Sequence, residues 1–220
     1  MSKPRRTATP PRRTQQERRE TTIKKLVQAT IDSLREVGFV RTTVKEICKR
    51  AGVSHGALFR FFPSVLDLVL AAGEEVGRRH IAEFHARFAR AKDRGDRVAT
   101  ALHLLRETCR SETNTVFYEL LVAARTDRAL RKAMQAPMQR YYETIRENAF
   151  KVPGTETLPA RDLEVLLFTA IHTFDGESLA RVVLSHPELE ERRMELLTAV
   201  LRAAVAMAQQ GAGERPAPGA

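Results

Sequence analysis

The chain has 220 residues, enough for one domain of ordinary size and a small additional module. Its 37 Lys and Arg against 27 Asp and Glu give a formal net charge of +10, of which residues 1–70 carry +9. Two cysteines exclude a disulfide framework and a cysteine-based zinc site, and no apolar run is long enough to span a membrane. These totals predict a soluble cytoplasmic protein whose first third binds an anionic polymer such as nucleic acid.

The first predicted elements are a basic arm and three short helical patterns. Residues 1–19 are rich in Pro and Arg without apolar periodicity, so we expect a disordered arm. A helical period then runs to Gly38, which ends a first helix. Thr43 begins a T-x-x-E capping box for a second helix, and Gly52 supplies the left-handed residue that ends it. Ser54 is placed to cap a third helix.

The remaining predicted elements are also helices. Ser64 and Asp67 form another capping box, from which a fourth helix runs to about Arg90. We expect five further helices and a flexible tail, at 97–111, 115–125, 127–150, 161–185, 187–210 and 211–220. The helix over 161–185 is apolar almost all round, which indicates burial on more than one side. The predicted fold class is therefore all-α, with about nine helices.

The second and third helices lie within "TTVKEICKRAGVSHGALFRFF", residues 42–62, and their close spacing predicts a helix-turn-helix. The second helix of such a unit enters the major groove of DNA, so its outward residues must be polar or small. The residues that meet this requirement are His55, Gly56, Ala57 and Arg60, while Val53, Leu58 and Phe61 face inward. We predict DNA contacts from Thr42, Thr43, Lys45, Ser54, His55, Gly56, Ala57, Phe59 and Arg60. Two core helices without DNA contact are the alternative.

The segments "ERRETTIKKLVQATIDSLREVGF" and "TTVKEICKRAGVSHGALFRFFPSVLDL" resemble the first helices of the TetR family of bacterial transcriptional regulators. Phe59 stands where the family has Tyr and Val65 where it has Lys, so two usual phosphate contacts are missing. The resemblance implies an all-helical homodimer. It implies a helix-turn-helix DNA-binding domain at 20–66 and a larger ligand-binding and dimerisation domain at 67–210.

The sequence of the predicted second domain indicates its binding residues less specifically than that of the helix-turn-helix. A pocket for a largely apolar small molecule is expected near Arg106, Phe117, Leu121, Phe168, His172 and Asp175. The alternative is that His172 and Asp175 form a hydrogen-bonded pair in the protein core. We interpret His80 and His85 as exposed residues, and we expect neither a metal site nor a cofactor. The inward face of the last helix predicts a dimer interface containing Leu197, Leu201 and Ala204.

The motifs of common enzymes are absent from the sequence. There is no Gly-rich phosphate loop, no G-x-S-x-G and no H-E-x-x-H, so we predict that the protein is not an enzyme. The prediction is a sequence-specific transcriptional regulator of double-stranded DNA, a repressor released from a palindromic operator by a small-molecule ligand. The alternative is a constitutive DNA-binding helical protein whose second domain binds a protein partner. A ligand-sized cavity favours the first, and a filled core with an exposed apolar patch favours the second.

Overall fold

The computed structural model describes residues 14–91 and 95–213, and within these ranges the chain forms nine α-helices and no strand. The helices are α1 (Gln15–Val37), α2 (Val44–Ala51), α3 (His55–Phe61), α4 (Val65–Arg90), α5 (Arg97–Cys109), α6 (Thr115–Ala123), α7 (Arg128–Ala149), α8 (Ala160–Ala180) and α9 (Pro187–Gly213). A 3-10 turn over Glu112–Asn114 precedes α6. The chain divides between Ala72 and Gly73, inside α4, into two compact units. The all-α prediction is confirmed.

The first unit contains α1, α2, α3 and the beginning of α4. Its core consists of fully buried aliphatic side chains from all four helices: Leu26, Ile31, Leu34, Ile47, Leu58 and Leu68. α1 ends at Gly38, which has a φ of 79° and donates its N–H to the Leu34 carbonyl at 3.2 Å. This positive φ explains why the sequence has glycine at the end of α1.

The first helix begins earlier than the sequence predicted. The Thr14 side chain accepts the Glu17 N–H at 3.1 Å, and the Glu17 carboxylate accepts the Thr14 N–H at 2.7 Å. This reciprocal capping box starts α1 inside the arm that was expected to be disordered over 1–19. Residues 1–13 of that arm lie outside the described residues. At the other end, α9 continues through residue 213, into the expected tail, and 214–220 lie outside the described residues.

The second unit is a bundle in which α5 packs against α8 and α9, and α7 packs against α6 and α8. Two apolar clusters fill its interior, one containing Leu102, Cys109, Ala170, Phe174 and Met194 and the other Leu158, Leu163 and Val205.

α8 ends at Ala180, before the predicted end at 185. The Glu190 carboxylate accepts hydrogen bonds from Ser185 Oγ at 3.2 Å and His186 N–H at 3.3 Å, which turns the chain into α9.

An ionic cluster connects α5, α8 and α9, and its central residues Arg106, Glu177 and Glu190 are buried. It consists of Arg106, Arg110, Glu177, Glu190, Glu191 and Arg193. The Glu177 carboxylate, 2% exposed, accepts hydrogen bonds from Arg106 Nε at 2.9 Å, from Arg110 Nη2 at 2.5 Å and from Arg193. Burial alone would raise the pKa of the Glu177 carboxyl, but these hydrogen bonds outweigh it and hold the pKa below its usual value. Glu177 is therefore charged and paired inside the bundle.

No single helix in the described part of the chain is long and apolar enough to cross a membrane. α3 and α4 meet that requirement of length and composition only as a pair, across a bend of 67°. The beginning of α4 instead supplies Leu68, Val69 and Ala72 to the buried core of the first unit.

Candidate nucleic-acid interface and ligand cavity

Three capping residues determine where α2 begins, where it ends and where α3 begins. Thr43 Oγ1 accepts the Glu46 N–H at 3.3 Å and begins α2. Gly52 ends α2 in the left-handed conformation, with φ 65° and ψ 39°. Ser54 Oγ accepts the Ala57 N–H at 3.2 Å and begins α3. The predicted caps of the two helices are confirmed, and only three residues separate α2 from α3.

The capping box predicted at α2 forms in one direction only. The Thr43 N–H donates to the Arg41 carbonyl at 2.9 Å, so it is not available to the Glu46 carboxylate. That carboxylate instead accepts a hydrogen bond from Arg50 Nε at 2.6 Å, while Arg50 Nη1 bonds Glu36 at 2.6 Å. The hydrogen bond from Arg50 lowers the pKa of Glu36. Arg50 therefore ties α2 to α1.

α3 turns one face to the core and the other to solvent. Leu58 is fully buried, whereas His55, Gly56 and Arg60 are exposed and Phe59 is 49% exposed. A Cβ at Gly56 would meet no neighbouring atom within 4 Å, so the fold does not require glycine there. Glycine inside a helix costs about 1 kcal/mol relative to alanine. Gly56 therefore destabilises α3 and leaves its backbone uncovered by a side chain at this position. This indicates that a partner approaches the backbone closely.

The other predicted DNA-binding residues divide into two groups. The first group is exposed: Thr43 and Lys45 lie at the start of α2, and Ser54 lies directly before α3. Ala57, in α3, is half-buried. Thr42 is only 6% exposed. Its hydroxyl donates to the Gly38 carbonyl at 2.8 Å and lies 2.9 Å from Ser33 Oγ. Thr42 thus holds the turn between α1 and α2, and its side chain is not free to contact DNA.

The second unit contains a cavity of about 110 Å³, lined by α4, α5, α7, α8, α9 and the segment between α7 and α8. Most of the wall is apolar and includes Ile81, Phe84, Leu102, Leu105, Leu167 and Leu201. Among the described residues that line it, none is Asp, Glu, Lys or Arg. Tyr141 reaches the wall by packing against Gly77 of α4, where a Cβ would lie 3.0 Å from Tyr141 Cδ2. The cavity is suited to a small apolar molecule.

His80 of α4 is one of the residues that line this cavity. The sequence predicted an exposed side chain, and this is wrong, because His80 is 4% exposed and its ring packs against Phe117 at a centroid distance of 5.9 Å. Nε2 lies 3.0 Å from Thr113 Oγ1, while Nδ1 has no hydrogen-bond partner. Burial lowers the pKa of His80 to about 4, so the ring is neutral at pH 7. His85 is exposed, as predicted.

The depressed pKa of His80 predicts how the stability of the protein depends on pH. Between its ordinary pKa of 6.5 and about 4, the unfolded state binds more protons at this site than the folded state. The free energy of unfolding should therefore fall with falling pH, by about 3 kcal/mol over that interval. Urea unfolding of wild type and of His80→Gln at several pH values measures the contribution of His80 to the free energy of unfolding. Equal pH dependence of the two proteins would contradict it.

None of the six residues predicted to bind a ligand lies in the wall of the described cavity. Arg106 belongs to the ionic cluster, and Leu121 and His172 are exposed. Phe117 stacks on Tyr141 at a centroid distance of 5.1 Å, one layer behind the wall. Because His172 is exposed, the alternative of a buried pair with Asp175 does not hold either.

Phe168 and Asp175 have other partners. Phe168 packs against Tyr142 at a centroid distance of 5.0 Å. Asp175 accepts hydrogen bonds from Tyr118 Oη at 2.9 Å and Asn114 Nδ2 at 3.1 Å. The sequence did not reveal the cavity, because five helices and a connecting segment supply its wall and no local pattern marks them.

The residues predicted at a dimer interface lie against the core of their own subunit. Leu197 and Leu201 pack on the cluster around Phe174, and Leu201 and Ala204 pack on the cluster around Leu158. A neighbouring face of α9 carries exposed apolar side chains, with Leu196 50%, Val200 53% and Met207 71% exposed. α8 adds Val165 and Leu179, which are 59% and 49% exposed.

Residues 26–72, which contain α2 and α3, match the model of the bacterial regulatory proteins of the tetR family. An uncharacterized HTH-type transcriptional regulator of Mycobacterium tuberculosis is 42% identical over 191 residues, covering 87% of this chain and 98% of that protein. The chain belongs to the TetR family. The HTH-type regulator CymR of Pseudomonas putida is 30% identical over 183 residues, covering 83% and 90%. The multidrug binding protein EbrR, complexed with imidazole, has a similar fold with a TM-score of 0.59 at 20% identity, covering 80% and 93%.

Family membership establishes the coarse function of the chain. TetR-family proteins are DNA-binding transcriptional regulators, and the relatives that match over most of this chain are named HTH-type transcriptional regulators. The predictions of a TetR-family regulator and of a protein that is not an enzyme are confirmed by these relatives.

Proposed function

We propose that this TetR-family regulator is a homodimeric repressor that binds a palindromic operator and leaves it when a small apolar molecule fills the cavity. The observation that carries the proposal is the exposed face of α3, where His55, Gly56 and Arg60 lie on one surface above the buried Leu58. Each subunit of a two-fold dimer would place α3 in the major groove of one half-site, so the operator would be an inverted repeat. An operator within a promoter gives repression by exclusion of the polymerase.

The dimer is proposed to form through the exposed apolar row on α8 and α9. In α9 this row is Leu196, Val200 and Met207, whose spacing of four and seven residues places them on one helical face. Exposed apolar side chains grouped on one helical face are typical of a protein interface. The same row also suits the alternative in which another protein binds the second unit. Binding of a copy of the chain is favoured because an operator made of two half-sites requires two reading helices.

The cavity supports control by a ligand. His80, Ile81 and Phe84 of α4 lie in its wall, and only three residues separate the end of α3 from the start of α4. A ligand that prefers one position of α4 would shift the population between operator-binding and released states by its difference in affinity. EbrR, which shares the fold, has been solved with imidazole and with malachite green. A protein of the same fold therefore binds small molecules, as we propose for this chain.

Operator binding should depend on Arg60. DNA duplexes selected from a randomised pool by the full chain provide the operator for this measurement. Arg60→Ala should weaken binding to the selected duplex by about 1–3 kcal/mol for each half-site, the range for one good base contact. Arg128→Ala, which removes the same charge from an exposed site on α7, is the control and should have little effect. An unchanged affinity for Arg60→Ala in titrations at one salt concentration would remove Arg60 from the interface.

Gly56→Ala should change stability and DNA binding in opposite directions. The added Cβ meets open space, so α3 should gain up to about 1 kcal/mol in the free energy of unfolding. The same methyl group would stand between the helix backbone and the DNA, so operator affinity should fall. Urea unfolding and operator titration of the same preparation measure the two effects. A variant with unchanged operator affinity would show that Gly56 does not face DNA.

A further inference from the structure

Phe59 is an exposed aromatic side chain on α3, the proposed reading helix. We infer that each half-site of the operator contains a thymine whose 5-methyl group packs against the Phe59 ring in the major groove. The inference rests on the proposed function, because it names the base that one residue of α3 recognises. Three features of α3 support it: the exposure of the ring, its place on the helix, and the absence of a side chain at Gly56 beside it.

Phe59 presents a hydrocarbon ring on the surface of the first unit. The side chain is 49% exposed, whereas Leu58, the residue before it, is fully buried. Among the described residues of the first unit, Phe59 is the only aromatic residue that is exposed. The ring has no hydrogen-bonding group, so it cannot bond a phosphate as a tyrosine hydroxyl can. Its favourable contacts with DNA are therefore contacts with apolar groups.

The position of Phe59 on α3 places the ring inside the exposed face of the helix. Each residue of an α-helix is turned by about 100° from the one before, so Phe59 lies about 40° from His55 and about 100° from Arg60 around the axis. His55 and Arg60 are exposed too and lie at the two edges of this face. When a reading helix lies in the major groove, the middle of its exposed face is directed at the base edges. Phe59 is therefore placed to contact a base.

Gly56 leaves space for the ring to lie against that base. It is the other residue inside the exposed face, about 60° from Phe59 around the axis. A Cβ at Gly56 would meet no protein atom within 4 Å, so no other side chain covers the helix surface at this position. The backbone of α3 can approach the floor of the groove there, and this approach brings the Phe59 ring to the base edges.

Thymine is the base that offers an apolar group in the major groove. Guanine, adenine and cytosine present hydrogen-bond donors and acceptors there, whereas thymine presents its 5-methyl group beside the O4 acceptor. A ring packed over a donor or acceptor would displace its water without replacing the hydrogen bond, which lowers affinity. A ring packed on the methyl group removes apolar surface of both partners from water. The Phe59 side chain therefore favours thymine.

The test replaces thymine by deoxyuridine in the duplex that the full chain selects from a randomised pool. Deoxyuridine lacks only the 5-methyl group and keeps the hydrogen-bonding groups of thymine. Each thymine of the half-site is replaced in turn, at the equivalent positions of both half-sites. Dissociation constants are measured at one salt concentration for the wild type, Phe59→Ala, Phe59→Leu and the control Val122→Ala. Val122 is an apolar residue of α6 that is 58% exposed. Circular dichroism first establishes that each variant is folded.

We expect one thymine position at which deoxyuridine weakens wild-type binding roughly fourfold for each half-site, the effect of one buried methyl group, and roughly 15-fold for the whole operator. In Phe59→Ala the same replacement should change the affinity by less than about twofold, because the ring that contacts the methyl group is absent. Phe59→Leu keeps an apolar side chain and should retain part of the preference for thymine. Val122→Ala should respond to deoxyuridine as the wild type does.

A selected half-site without thymine would overturn the inference, and so would wild-type binding that no deoxyuridine replacement weakens. A preference for thymine that persists unchanged in Phe59→Ala would assign the methyl contact to another residue and would overturn it equally. In each of these cases, selection of one duplex by the wild type leaves the proposed repressor standing. Failure of the wild type to select any sequence from the pool would reject the proposed function, and this inference with it.

Discussion

Val200→Glu is expected to convert the proposed dimer into a folded monomer. Val200 is 53% exposed in the single subunit and lies in the middle of the apolar row on α9, so the substitution should leave the subunit's own core intact. In a two-fold interface the same residue occurs twice, and each copy would bury a carboxylate without a partner. The cost is several kcal/mol for each copy, enough to dissociate a dimer at micromolar concentration.

Val122→Glu is the matched control for this experiment. Val122 lies on α6, outside the apolar row of α8 and α9, and its exposed fraction is 58%. Sedimentation velocity of the wild type and both variants gives the oligomeric state, and circular dichroism reports whether each remains helical. A dimeric Val200→Glu would place the interface on another surface. The residues first predicted at the interface are unsuitable for this test, because Leu201→Glu would place a charge in the subunit's own core.

Glu177→Gln should destabilise the second unit by about 3–5 kcal/mol, the range for breaking a buried ion pair. The Glu177 carboxylate accepts hydrogen bonds from three arginines, and Arg106 among them is only 5% exposed. Neutralising Glu177 leaves these guanidinium groups with Glu190 and Glu191 as the remaining carboxylates of the cluster. For a chain of this size the loss corresponds to a fall in melting temperature of roughly 6–20 °C.

Glu195→Gln is the control for the ionic cluster. Glu195 pairs with Arg192 on the surface of α9, where both side chains are 65% exposed. A surface pair of this kind contributes about 0–1 kcal/mol, so its loss should barely change the melting temperature. Thermal unfolding of wild type and both variants at pH 7 measures the difference. If the two variants melt at the same temperature, the ionic cluster does not stabilise the bundle.

The helix-turn-helix could be predicted from the sequence because its geometry is determined by neighbouring residues. Thr43, Gly52 and Ser54 act on backbone groups within five residues of themselves, and these local effects appear directly in the sequence. The burial of the Thr42 side chain could not be predicted in this way. Its hydroxyl points to Ser33, nine residues earlier in the chain, so only the packing of α1 against the turn reveals it.

The ligand cavity and the ionic cluster depend on contacts between distant parts of the chain. Arg106 and Glu177 are separated by 71 residues, and no spacing rule joins them. His80 follows two arginines on α4, a context typical of a solvated face, yet helical rotation turns its ring toward Phe117. Periodicity predicted the existence of the helices. It did not predict which of their polar residues would be buried by neighbouring helices.

The most direct measurement of the central claim compares two duplexes at one fixed salt concentration. One is the duplex selected by the full chain from the randomised pool, and the other has the same base composition with both half-sites scrambled. If α3 reads base edges in two half-sites, the wild type should bind the selected duplex at least about 10³-fold more tightly than the scrambled one. Equal affinity for the two duplexes would show that the chain binds DNA only through its charge, and would contradict the account.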